Sequence, residues 1–231
     1  MRLDEEYCLS EYVDLGRLGD NEKVHIVRNQ VNGVIGVRKY VALDLEEIYL
    51  FLKENPNAYI PKIYECIQTD TNLIVIEEYL SGKNLEEMLK EKYFSEKDAA
   101  DIIICLCNAL YPLHHAKMLV ICRDLKAENV ILTNEGEVKL VDFDIARIYQ
   151  PGKSKDTVMM GTQGYAAPEQ FGGMGQTDAR TDIYCLGATM YHLVTGMNPC
   201  EPPYEIRPIR EIDPTLSGGL ERIITKCTQP D

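Results

Sequence analysis

Short apolar runs with turn residues between them fill the first third of the chain. Lys23–Arg28 and Val34–Tyr40 are rich in Val and Ile, with Asn32-Gly33 between them, so a strand pair is predicted there. Leu43–Lys53 changes to helical spacing, with Leu45, Ile48, Tyr49 and Leu52 on one face, and Asn55-Pro56-Asn57 ends it. Ile63–Gln68 and Asn72–Tyr79 read as a second strand pair across Thr69-Asp70-Thr71. Beyond Gly82 the pattern is mostly helical. Asn84–Glu91 is a short amphipathic helix, and Ser95 caps a long, largely apolar one running to about Ala116. Its near-continuous apolar character predicts burial on all sides. Val130–Thr133 and Glu137–Val141 form a small hairpin across Asn134-Glu135-Gly136. Gln150–Gly175 is a long segment rich in Gly, Pro and Gln, and Asp182–Thr195 and Leu216–Cys227 are helical again.

Strands in front and helices behind predict an α+β fold with two lobes, residues 1–80 and 81–231, in one domain. The join near Glu78–Gly82 is where a site is expected. Composition narrows the class. The 231 residues carry 24 Lys and Arg against 37 Asp and Glu, a formal charge of −13. Such a chain is a poor partner for nucleic acid and for anionic membrane surfaces. It suits a basic protein partner, although plain solubility explains the charge as well. The eight cysteines include no C-x-x-C pair, and several sit in apolar runs, which fits free thiols in a reducing compartment. The four histidines lack paired zinc-ligand spacing. No signal peptide opens the chain, and Ile102–Leu110, its longest apolar stretch, is too short to span a bilayer.

The residues that carry chemistry lie in Ile121-Cys122-Arg123-Asp124-Leu125-Lys126-Ala127-Glu128-Asn129, then in Val141-Asp142-Phe143-Asp144 after the hairpin. Asp124 and Asn129 are five residues apart, a D-x-x-x-x-N spacing. Gly161–Glu169 ends in Ala167-Pro168-Glu169, and Asp142 to Glu169 spans 28 residues inclusive. Asp178–Gly187 then opens a helix. In this order the motifs resemble the eukaryotic-type protein kinases, and their bacterial serine/threonine branch in particular.

That resemblance implies a two-lobed kinase fold: a small antiparallel sheet with one helix, then a larger helical lobe, here C-terminally truncated. It implies transfer of the γ-phosphoryl of ATP to a protein hydroxyl, with ATP and Mg²⁺ as cofactors and Mn²⁺ as the alternative ion. Asp124 would accept the hydroxyl proton, Lys126 would reach the γ-phosphate, and Asn129 and Asp142 would hold metal. Gly36-Val37-Arg38-Lys39 takes the place of V-A-I-K, so Lys39 would contact the α/β-phosphates. Its partner would be Glu47 of the next helix, or Glu46. Gly19, Val24 and Val37 would flank the nucleotide, and the backbone of Glu78 and Leu80 would meet the adenine. Glu77 would guard the back of that pocket. Arg123 would pair with a phosphorylated Ser154, Thr157 or Thr162, with Thr157 favoured and Thr162 in a structural, substrate-facing role.

Asp182 would brace the catalytic loop. Glu169 would lack the arginine that pairs with it in relatives. Arg17 and Glu22 stand where the family has glycines, Cys122 where it has histidine, and Asp144 where it has glycine. A protein substrate, self-association for autophosphorylation and a cytoplasmic catalytic domain complete the expectation, with an anchor beyond Asp231 left open. The alternatives are a pseudokinase-type nucleotide or partner binding module, and a small-molecule phosphotransferase.

Overall fold

The computed structural model describes residues 3–19, 21–152, 160–171 and 176–229. The chain divides into two compact units, Met1–Ser81 and Gly82–Asp231.

The first unit is an antiparallel sheet in the order β1-β2-β3-β5-β4, built from β1 (Tyr12–Arg17), β2 (Val24–Asn29), β3 (Ile35–Val41), β4 (Ile63–Gln68) and β5 (Leu73–Glu78). A helix α1 (Leu3–Ser10) precedes it. Helix α2 (Glu46–Glu54) packs on β4 after a 3₁₀ turn at Leu43–Leu45. Its buried residues are Ile48, Tyr49 and Leu52, three of the four apolar positions that predict the helix. The ladder puts Val24 opposite Lys39, Lys39 opposite Val75, and Val37 opposite Glu77. Side chains alternate along a strand, so Val24, Val37, Lys39, Val75 and Glu77 share one face of the sheet. Arg38 turns to the other face, where its guanidinium donates to Asp14 at 2.6 Å.

The second unit holds a three-stranded sheet of β6 (Gly82–Asn84), β8 (Val130–Thr133) and β9 (Val138–Leu140), and a short pair, β7 (Val120–Ile121) with β10 (Arg147–Ile148). Its helices are α3 (Leu85–Leu89), α4 (Glu96–His115), α5 (Ala179–Thr195), α6 (Ile209–Ile212) and α7 (Gly218–Cys227). Ser95 caps α4 by accepting from the Asp98 N–H at 3.1 Å. One stripe of α4 is buried, at Ala99, Ile102, Leu106, Ala109, Leu110 and Leu113; Ile104, Cys107 and Tyr111 are exposed. The all-round burial predicted for α4 belongs instead to α5, which packs against both α4 and α7 and is buried along nearly its whole length after Thr181. Asp178 caps α5 by accepting from the Arg180 N–H at 2.8 Å, so the helix starts at Ala179, three residues before the predicted Asp182. Gly196 ends it with φ +66°, and a Cβ there would lie 2.0 Å from the ring of Tyr93.

Near its start α5 presents Asp182, which is fully buried. Its carboxylate accepts the backbone N–H of Cys122 at 3.0 Å and of Arg123 at 2.8 Å, and lies 2.7 Å from His114 Nε2. Replacing it leaves two buried amides without acceptors. Asp182→Ala is expected to cost about 2–5 kcal/mol in urea denaturation, with Asp182→Asn intermediate.

Further along α5, His192 is 3% exposed, and its Nδ1 receives the Tyr165 hydroxyl. Burial lowers the His192 pKa to about 4. The unfolded chain therefore binds this proton first as pH falls. The stability gained by burying neutral imidazole is complete above pH ~6.5 and lost between about 6.5 and 4, up to roughly 3 kcal/mol. Thermal midpoints across that window are expected to flatten in His192→Gln, whose amide oxygen can still accept from Tyr165.

Candidate active site

In the first unit, the shared sheet face brings together four of the residues that the sequence singles out. Val37 is buried, Val24 is half-buried, and Lys39 and Glu77 keep 13% and 8% of their side-chain surface. Lys39 Nζ lies 2.6 Å from Glu77 Oε1, a diagonal pair across β3 and β5. This contact differs from the helical partner that the sequence leads one to expect. Glu47 is exposed and Glu46 half-buried, and among the described residues neither forms an ion pair. The buried stripe of α2 runs through Ile48, Tyr49 and Leu52, so these glutamates flank the packed face.

Glu78 ends β5 with its N–H on the Lys62 carbonyl at 2.9 Å, and Leu80 follows outside the strand. Gly16, near the end of β1, and Gly19, in the turn between β1 and β2, both have positive φ. Arg17 and Glu22, where the resemblance led to an expectation of glycine, form an exposed ion pair at 3.3 Å.

In the second unit, Asp124 is the centre of a cluster. Asn129 Nδ2 donates to the Asp124 carbonyl at 2.8 Å and to its Oδ2 at 2.9 Å. Both partners are acceptors, which fixes the amide orientation and turns the Asn129 Oδ1 away from Asp124. The Thr162 hydroxyl donates to Asp124 Oδ1 at 2.6 Å, and Lys126 Nζ donates to the same hydroxyl at 2.9 Å. Lys126 also lies 3.2 Å from Asp124 Oδ2 and 3.2 Å from Glu128. Burial alone would lower the Lys126 pKa, but Asp124 and Glu128 outweigh it and raise the value, so the ammonium stays charged. The Val141 N–H donates to the Asn129 carbonyl at 2.9 Å, so Asn129 and Asp142 leave the same end of the β8–β9 hairpin. Asn129 amide oxygen and Asp142 carboxylate are hard oxygen donors, which suits Mg²⁺.

The loop is held at several points. Arg123 has φ +68° and Asp142 φ +70°, a region costly for a residue with a side chain. At Arg123 the conformation is pinned from three directions. Its N–H goes to Asp182, its carbonyl accepts from Gln170 Nε2 at 2.9 Å, and its Nε donates to the Ile145 carbonyl at 2.7 Å. Burial, with Arg147 nearby, lowers the Arg123 pKa to about 10, which leaves the guanidinium charged at neutral pH.

Gln170 is 3% exposed and also donates to the Met160 carbonyl at 2.8 Å. Sequence reading passes over it, although it stands directly after Ala167-Pro168-Glu169. It misses His114 as well, because neither residue carries a motif of its own. Glu169 accepts from the Thr181 hydroxyl at 2.7 Å. Thr162 lies within the Asp124 cluster, whereas Ser154 and Thr157 lie outside the described residues.

Comparison with known proteins bears on the family. The protein kinase domain family matches residues 28–217. A probable serine/threonine-protein kinase PknB of Corynebacterium glutamicum is 42% identical over 135 residues, covering 57% of this chain and 20% of that protein. A probable serine/threonine-protein kinase of Clostridium perfringens is 35% identical over 177 residues, covering 71% and 25%. The serine/threonine-protein kinase PknA of a Nostoc species is 32% identical over 181 residues, covering 71% and 31%. The chain thus aligns with a fifth to under a third of the length of these relatives. With the family match covering most of its length, the chain belongs to the eukaryotic-type protein kinase family, in its bacterial serine/threonine branch.

Proposed function

We propose that this chain is the catalytic domain of a serine/threonine protein kinase that moves the γ-phosphoryl group of ATP to a protein hydroxyl. The observation that carries the reading is the hydroxyl on Asp124. Thr162 Oγ1 donates to Oδ1 while Lys126 contacts the same hydroxyl and the other carboxylate oxygen. A carboxylate held in this way, with a cation beside it, can orient a second hydroxyl on its remaining lone pair and take its proton. The hydroxyl oxygen then forms the new bond to phosphorus as the bond to the ADP oxygen breaks. Lys126 offsets the charge that spreads over the phosphoryl oxygens.

Asn129 and Asp142 would hold a divalent ion, Mg²⁺ or Mn²⁺. When bound, that ion supplies neutralisation of the phosphate charge. Lys39 would meet the α/β-phosphates, and Gly19, Val24, Val37 and the backbone of Glu78 and Leu80 would border the nucleotide. Asp182 acts by fixing the loop, and Arg123, with Thr157 or Thr162, is the regulatory element of this reading. A protein substrate of basic character, self-association for autophosphorylation and a cytoplasmic setting belong to the same proposal. Among the described residues no helix is long and apolar enough to cross a membrane.

The second reading is nucleotide binding with little transfer. It draws on Arg17 and Glu22, whose side chains occupy positions where glycine would let backbone approach phosphate. One experiment separates the two. The chain is incubated with ATP, Mg²⁺ and a basic protein, beside Asp124→Asn, and phosphate incorporation is followed by mass spectrometry. Loss of the base is expected to lower transfer by about 10²–10⁴-fold, with ATP-dependent thermal stabilisation retained. Equal incorporation in both would remove the enzyme reading. Stabilisation by ATP with no transfer in either would establish the binding module.

A further inference from the structure

We propose that Glu77 of β5, and not a glutamate of α2, is the residue that positions the Lys39 ammonium for the phosphates of the nucleotide. The proposal rests on the kinase reading above and concerns the buried ion pair of Lys39 with Glu77 on one face of the sheet.

Three observations converge on it. The first is distance and burial: Lys39 Nζ and Glu77 Oε1 are 2.6 Å apart, and their side chains retain 13% and 8% of their surface. A carboxylate buried to this degree needs a cation to stay charged, and Lys39 is in contact with it. The second is register. Lys39 sits opposite Val75 and Glu77 opposite Val37, so both side chains rise from the same face two residues out of step. The strands run close there, since a Cβ on Gly36 would lie 2.9 Å from the Glu77 carbonyl oxygen. The pair is therefore set by backbone hydrogen bonds within one sheet. The third is the state of the alternatives. Glu47 is exposed, Glu46 is half-buried, and neither forms an ion pair among the described residues.

The chemistry follows from the donor geometry. A lysine ammonium carries three N–H donors, so one bond to Glu77 orients the group without exhausting it. An amine tethered by a neighbouring strand is held at the geometry the sheet dictates. An amine tethered by a helix is held only when the helix is in place. Phosphate positioning by Lys39 would then be independent of α2.

The opposite possibility uses the same contact. Glu77 could keep the amine away from nucleotide, in which case removing its charge would speed transfer. The test decides between them. Transfer from ATP with Mg²⁺ to a basic protein is measured together with titration of a fluorescent ATP analogue. The forms are wild type, Glu77→Gln, Glu77→Asp, Glu46→Gln/Glu47→Gln, Lys39→Met, and Lys39→Met/Glu77→Gln. Near-UV circular dichroism and thermal midpoints report the fold.

Glu77→Gln is expected to lose about a hundredfold in kcat, with the KM for ATP changing less than about fivefold. Glu77→Asp recovers part of the loss. The α2 double variant stays within about twofold of wild type. Lys39→Met/Glu77→Gln is no worse than Lys39→Met alone, because Glu77 acts through Lys39.

The proposal is overturned if Glu77→Gln equals or exceeds wild type, if the α2 variant loses as much as Glu77→Gln, or if the losses multiply in the double variant. Should Glu77→Gln fail to fold, Glu77→Asp is decisive, since unchanged kcat there overturns the idea. Absence of transfer in the wild type sinks the kinase reading separately. The proposal is then judged on the analogue, whose affinity should fall about threefold in Glu77→Gln and no further on adding Lys39→Met. Unchanged affinity would refute it.

Discussion

The geometry around Asp124 depends on one buried carboxylate outside the Asp124 cluster. Asp182 sits near the start of α5, the best-buried helix of the second unit, and receives the amides of Cys122 and Arg123. Those two residues lead directly into Asp124. A loop that must hold a residue at positive φ does so only when its neighbours leave no alternative. Here Asp182, Gln170 and the Ile145 carbonyl together fix Arg123. The packing of α5 against α4 and α7 thus reaches the loop that carries Asp124 through two hydrogen bonds.

Local and non-local information divide cleanly in this chain. Spacing along the sequence exposes Asp124, Lys126, Asn129 and Asp142, because one loop and one hairpin place them and both are short. Helix α2 and strands β2, β3, β4 and β5 follow from apolar period for the same reason. Strand β1 does not, since five of its six residues are exposed and carry no alternating apolar signal. The pairing of Lys39 with Glu77 lies beyond period and motif because it depends on which residue of β5 faces which residue of β3. That register shifts by whole residues with no change in either strand's own pattern. A helical glutamate is the expectation when only neighbours in sequence can be compared. Gln170 and His114 are silent for a related reason: each is an ordinary polar residue whose importance comes from a backbone group brought to it by another element.

The two units rest on different kinds of restraint. On the sheet face of the first, one buried ion pair stands among aliphatic residues, with Val37 across from Glu77 and Val75 across from Lys39. Removing the ammonium takes from the buried Glu77 carboxylate the cation in contact with it. Around Asp124 the restraint is a network in which Thr162, Lys126 and Asn129 each hold the carboxylate and two of them hold each other. Networks of this sort resist single deletions unevenly, because the remaining members can re-pair.

Two thiols flank the Asp182 brace. Cys122 supplies one of the bonded amides, and Cys185 lies one turn further along α5; both are buried, and burial pushes their pKa values well above the usual thiol range. An alkylating reagent meets neither while α5 and the loop stay together. Their labelling rate therefore reads out how often this part of the protein opens, and the exposed Cys107 serves as an internal reference on the same molecule.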